Sequence, residues 1–152
     1  MLRDTFKQDL KDAQKSGDNS TRDTIRLIQA ALKDRDIDAR SKGNHDGIAE
    51  AEILSMLQSM IKSRNDSIAM YEQGGRVELA EREQAEIEVI NRYLPTQMDE
   101  GEMSGAIDAV IADIGAETVK DMGKVMAALK DKYAGQMDFA KAAGAVKKRL
   151  CG

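Results

Sequence analysis

Nucleophilic catalysis has few candidate residues in this chain. A serine or cysteine nucleophile needs a base within hydrogen-bond reach, and His45 is the single imidazole of the sequence. It lies in the polar run 42–47, which is typical of a solvent-exposed loop. Cys151 is next to last, where we expect a mobile tail rather than a reactive thiol. The sequence therefore predicts no catalytic residue.

Metal and cofactor chemistry is not expected either. One histidine and one cysteine are too few for a zinc cluster. Glutamates crowd the segment 81–88, but at helical spacing they fall on several faces, as on a solvated helix. The chain has no Walker loop, and no glycine-rich turn follows a strand pattern. We therefore predict neither a metal nor a cofactor.

Clustered basic residues are the strongest candidates for binding. The chain carries a net charge of −4, which argues against coating nucleic acid by bulk charge, yet residues 120–152 hold eight bases against three acids, a net charge of +5. Bases near a helix C-terminus also complement its dipole, so that interpretation stays open. The alternative is a face that binds the phosphates of a folded RNA. Its candidate residues are Lys120, Lys124, Lys130, Lys141, Lys147, Lys148 and Arg149.

Gly123 lies inside the first turn of a predicted helix. A glycine there lets a neighbouring backbone, or a phosphate, approach the helix N-terminus closely. Of the two, we favour close helix packing.

The elements that carry these residues are predicted to be helices. Apolar residues recur every three or four positions in seven stripes, and no segment alternates with period two. Glycines and Pro95 mark the expected helix ends. The sequence predicts an all-α protein with an N-terminal lobe of about four helices over 1–95 and a C-terminal three-helix lobe over 96–152.

The location follows from the same composition. The first residues are charged and no long apolar run follows, so neither a signal peptide nor a membrane span is predicted. A lone cysteine excludes an internal disulfide. We therefore expect a cytoplasmic protein that does not enter membranes.

Several motifs together resemble the YqeY family. They are TIRLIQAALK at 24–33, IKSR at 61–64 followed by 71–76, EIEVINRYLP at 86–95 and DMGKVM at 121–126. The resemblance implies an all-helical, two-lobed protein whose C-terminal lobe is similar to the tail domain of GatB, a subunit of the tRNA-dependent amidotransferase. In that enzyme the tail touches tRNA, while amide transfer and glutamine hydrolysis occur in other domains. Relatives usually carry a basic residue after the glycine of the turn that reads GQMDF here at 135–139, so we transfer no RNA contact to that turn.

Three functional hypotheses follow. The leading one is a non-catalytic helical module that binds tRNA, or a protein of tRNA aminoacylation or amidotransfer, through the C-terminal lobe. The second is an accessory subunit of a glutamine-dependent carbon–nitrogen ligase, an aminoacyl-tRNA amidotransferase. The third is a protein–protein adaptor without an RNA role, which would bury the long third helix and the Met-rich stripes against a partner. Apolar helix stripes of this kind also allow self-association.

Overall fold

The computed structural model describes residues 1–151, and it is helical throughout, with no strand in that range. The prediction of an all-α protein is confirmed. The elements are α1 (Leu2–Ser16), α2 (Asn19–Ser41), α3 (Glu50–Gln73), α4 (Val77–Asn91), α5 (Glu100–Ile114), a 3₁₀ turn (Val119–Asp121), α6 (Met122–Lys132) and α7 (Phe139–Cys151).

Glycines end two of these helices as the sequence predicts. Gly17 follows α1 with φ 76° and Gly115 follows α5 with φ 72°, a left-handed conformation that costs glycine little. Their amides donate to carbonyls in the last turn of each helix. The predicted end of the fourth helix differs, because α4 stops at Asn91 and a turn precedes Pro95.

Aspartates occupy the starts of three helices, as capping requires. The side chains of Asp18, Asp99 and Asp138 accept backbone amides from the first turns of α2, α5 and α7. Asp121 is the residue before α6, but its side chain accepts no amide of that helix. Its carboxylate instead accepts the amides of Glu117 and Thr118, so it closes the 3₁₀ turn before that helix.

The chain divides into two compact units, Met1–Leu94 and Pro95–Gly152. The N-terminal unit contains α1 to α4, with α3 and α4 packed along each other around a core that includes Phe6, Ile28 and Leu57. The rings of Phe6 and Tyr93 pack edge-on with their centroids 4.8 Å apart, and the Tyr93 hydroxyl donates a hydrogen bond to the Asp9 carboxylate. Burial, together with that hydrogen bond, raises the pKa of Tyr93.

The loop between α2 and α3 is held by one ion pair. The Arg3 guanidinium donates twice to the Asp36 carboxylate and once to the carbonyl of Ile48, while the Ile48 amide donates back to Asp36. These bonds fix the polar loop at its exit into α3. They also lower the pKa of Asp36, chiefly through the hydrogen bond from Arg3.

The C-terminal unit packs α5, α6 and α7 around their shared apolar interior. Its fully buried side chains include Ile107, Val125, Leu129, Met137 and Val146. Each helix thus contributes an apolar stripe and leaves its charged side chains outside. Of the helices that the structure describes, none is long and apolar enough to cross a membrane.

Candidate nucleic-acid interface

The predicted RNA-binding lysines are all solvent-exposed. Lys120 lies on the 3₁₀ turn, and the others lie on two helices that pack against each other, α6 and α7. Within residues 1–151, none of the six forms an ion pair. Their ammonium groups are therefore not held by a carboxylate of the described residues. The six are Lys120, Lys124, Lys130, Lys141, Lys147 and Lys148.

The structure brings only some of these lysines together. Lys141 and Lys148 are seven residues apart on α7 and line the same groove. Lys124 and Lys130 are six residues apart on α6, a rotation of about 240°, so they point to different faces. The basic surface therefore has its densest part along α7.

Arg149 differs from the lysines because its side chain is used within the protein. Its Nε donates to the Asp108 carboxylate of α5, one terminal nitrogen donates to the Ser104 hydroxyl, and the other to the carbonyl of Ala145. The Arg149 side chain is 29% exposed to solvent. Arg149 thus joins α7 to α5, and its contact with RNA phosphates stays a prediction.

An open groove of about 470 Å³ runs between α5 and α7, and we call it the α5–α7 groove. Met103, Ile107 and Ala145 give it apolar walls. Gly144 contributes bare backbone, and a Cβ built there would meet no atom within 4 Å. Its remaining lining residues are polar or charged: Glu100, Ser104, Lys141, Lys148 and Arg149.

Gly123 does not mark a close helix contact. A Cβ added at this position would meet nothing within 4 Å, so the surrounding residues leave room for a side chain. The favoured interpretation from sequence, close helix packing, is therefore wrong. Gly123 lies at the exposed surface of the first turn of α6.

Two glutamates of α4 are not the solvated residues that the sequence suggested. Glu86 accepts a 2.9 Å hydrogen bond from Arg64 of α3, and Glu83 lies 3.9 Å from the same nitrogen. Burial raises the pKa of Glu83, and the nearby Glu86 adds to the effect. Arg64 itself lies on the apolar stripe of α3, between Ile61 and Ile68. A charged residue in that stripe is the sequence feature that could have predicted a partner carboxylate on a neighbouring helix. The hydrogen bond between Arg64 and Glu86 joins α3 to α4.

The remaining candidates for chemistry are His45 and Cys151. They are exposed and lie in different units. Within residues 1–151, no three His, Cys, Asp or Glu side chains come together as a metal site would require.

Comparison with known proteins gives one consistent result. A family model described as "Yqey-like protein" matches residues 3–150. The chain is 38% identical over 90 residues to a Candida glabrata protein named "Altered inheritance of mitochondria protein 41, mitochondrial", covering 59% of this chain and 48% of that protein. A protein of the same name from Kluyveromyces lactis is 31% identical, and the match covers 72% of this chain and 58% of that protein. Another from Pyrenophora tritici-repentis is 32% identical, and the match covers 82% of this chain and 68% of that protein. The chain thus spans about half the length of the first of these relatives.

The names of these relatives bear on location. Each of the three is named as a mitochondrial protein. The prediction of a cytoplasmic location is therefore wrong on this comparison.

Proposed function

Because the chain belongs to the YqeY-like family, whose model spans residues 3–150, we propose that it is a non-catalytic module that binds tRNA through α6 and α7. The observation that carries this proposal is the set of exposed lysines without an ion-pair partner among residues 1–151. Unpaired lysines are available to phosphates at no cost in broken salt bridges.

The distribution of charge favours one side of the C-terminal unit. Helix α5 carries four acids and no base, whereas α6 and α7 together carry seven bases and one acid. A phosphate backbone is attracted to α6 and α7 and repelled by α5. This distribution supports RNA binding by the unit in spite of the acidic charge of the whole chain.

The resemblance of the C-terminal lobe to the GatB tail supports the same proposal. The unit Pro95–Gly152 has its own apolar core, which suits a module that binds RNA separately from any catalytic domain. We propose accordingly that the four-helix and three-helix units are two lobes, with RNA binding assigned to the second. Tyr133 and Phe139 both pack on the apolar core, so neither of these aromatic side chains of the unit offers an open platform for base stacking.

The other hypotheses have less support from the structure. An adaptor would present its Met-rich stripes to a partner, yet Met56 and Met137 are 1% exposed and belong to the cores of their own units. Met1 and Met70 differ, with 80% and 72% exposure. An accessory role in a glutamine-dependent ligase stays a prediction, and it requires the same tRNA contact.

The experiment is a filter-binding assay with total tRNA. We expect a Gln triple at Lys141, Lys147 and Lys148 to weaken binding and to reduce the slope of log Kd against log salt by about one unit per lost contact. Arg149 is kept, because its side chain is structural. The matched control replaces three exposed lysines of α1 with Gln: Lys7, Lys11 and Lys15.

The two triples separate the hypotheses because they remove the same charge. Loss of binding in the α7 triple alone supports the proposal. Equal binding by both triples and the original chain contradicts it, since no described lysine of α7 would then contact RNA.

A further inference from the structure

The α5–α7 groove has the size and lining of a small-ligand site. Its volume of about 470 Å³ falls within the roughly 300–1,000 Å³ that is usual for such sites. Met103, Ile107 and Ala145 make part of the wall apolar, while a few polar groups lie at defined places around it. That mixture suits a ligand with one flat apolar part and one charged part.

Arg149 gives the groove a fixed planar group. Each of its three nitrogens already donates a hydrogen bond, to Asp108, to Ser104 and to the carbonyl of Ala145. Three of the five N–H groups of the guanidinium are used in this way, and together they hold its plane in place. The planar face remains, and nucleic-acid bases stack on such faces.

The positive charges of the groove lie along α7. Lys141 and Lys148 are two helical turns apart, about 10 Å along the axis, and neither has an ion-pair partner in residues 1–151. Gly144 lies between them on the same helix. A glycine in a helix interior is unfavourable relative to alanine, and no close packing within residues 1–151 requires it here, because a Cβ would meet none of their atoms within 4 Å. The missing side chain leaves α7 open to an external group.

We propose that the α5–α7 groove binds one unstacked nucleotide. The base lies on the Arg149 face and the apolar wall, and the phosphate lies over Gly144 between Lys141 and Lys148. Glu100 and Ser104 are placed to hydrogen-bond ribose or base groups. The inference rests on the proposed function and deepens it, since the nucleotide can belong to an RNA; a free nucleotide offers the same chemistry.

The first arm of the test uses 5′-AMP as the probe. It is titrated into the ¹⁵N-labelled full chain, and we expect saturable amide shifts confined to the residues of α5 and α7 that line the groove. Gly144→Leu fills the groove without changing charge and should weaken AMP binding about tenfold or more. The matched control is Gly105→Leu, an exposed helical glycine of α5 that does not line the groove and has equal room. Circular dichroism confirms that both variants are folded.

Arg149→Lys provides a second variant. It retains the positive charge but removes the planar guanidinium group, so it should weaken AMP binding while the binding of inorganic phosphate changes little. Equal loss for both probes would contradict stacking on Arg149.

The second arm repeats the Gly144→Leu and Gly105→Leu comparison with total tRNA. Weaker tRNA binding in the first variant alone identifies the nucleotide as part of an RNA. Groove shifts with AMP but no tRNA binding by the original chain support a free nucleotide and contradict the proposed function. Binding of tRNA that Gly144→Leu leaves unchanged, without groove shifts from AMP, overturns the groove proposal alone. An acidic peptide that displaces AMP at lower concentration than tRNA would also overturn it.

Discussion

Replacing Arg149 with Gln should destabilise the C-terminal unit far more than replacing its neighbour Lys147. Arg149 donates three hydrogen bonds that join α7 to α5 and to its own preceding turn. Lys147 is exposed and makes no ion pair. The two substitutions remove the same charge from adjacent positions of one helix, so the effect of the helix dipole is nearly matched.

The size of the effect follows from the exposure of each partner. Asp108 keeps 63% of its side-chain exposure, so its ion pair with Arg149 is worth at most about 1 kcal/mol. The bonds to Ser104 and to the carbonyl of Ala145 add roughly 0.5–1.5 kcal/mol each at best, and the latter is long at 3.4 Å. We expect a total loss of about 1–2 kcal/mol for Arg149→Gln, against at most ~0.5 kcal/mol for Lys147→Gln.

Native-state hydrogen exchange at the amides of α5 and α7 measures this difference, because it reports the opening free energy of the C-terminal unit directly. A double-mutant cycle with Asp108→Asn should give a coupling energy below ~1 kcal/mol. Equal effects of the two Gln substitutions on exchange would refute the assignment of Arg149 to a structural role.

Three further predictions concern stability. Gly144→Ala should stabilise the protein by up to about 1 kcal/mol in urea unfolding, because the new Cβ meets nothing and alanine favours the helix; destabilisation would show that the site is less open than described. Glu83→Gln should stabilise the protein at pH 7 by a few tenths to ~1 kcal/mol. The pKa of Glu83 is raised, so the stability that its protonated form contributes is fully present below its ordinary pKa of 4.5 and is lost as pH rises through the raised pKa. In the variant, the free energy of unfolding should therefore depend less on pH between these two pKa values. An unchanged pH dependence would contradict the effect of burial. Asp36→Asn should release the loop before Ile48 and speed limited proteolysis there; an unchanged cleavage rate would show that other contacts hold the loop.

Helix type and most helix ends could be predicted from the sequence because both depend on local spacing. The apolar stripes repeat within each helix, and Gly17 and Gly115 stop α1 and α5 through their own backbone conformation. The hydrogen bonds of a capping side chain depend on more than its position. Asp121 directly precedes α6, but its carboxylate accepts the amides of Glu117 and Thr118 in the preceding turn.

Contacts between helices could not be predicted from local spacing. Arg149 and Asp108 are 41 residues apart, and Arg64 and Glu86 are 22 apart, so no period within one helix relates them. The basic character of the candidate site could be predicted, since it follows from composition. The α5–α7 groove could not, because it exists only where the two helices pack with Gly144 between Lys141 and Lys148.

The central claim is that phosphates of tRNA bind lysines of the C-terminal unit, and the salt dependence of tRNA binding tests it most directly. We predict that log Kd rises linearly with log salt for the full chain, and that the Gln triple at Lys141, Lys147 and Lys148 lowers the slope by roughly two to three units. A slope that is the same for the triple and the original chain, or binding that salt does not weaken, would contradict the account.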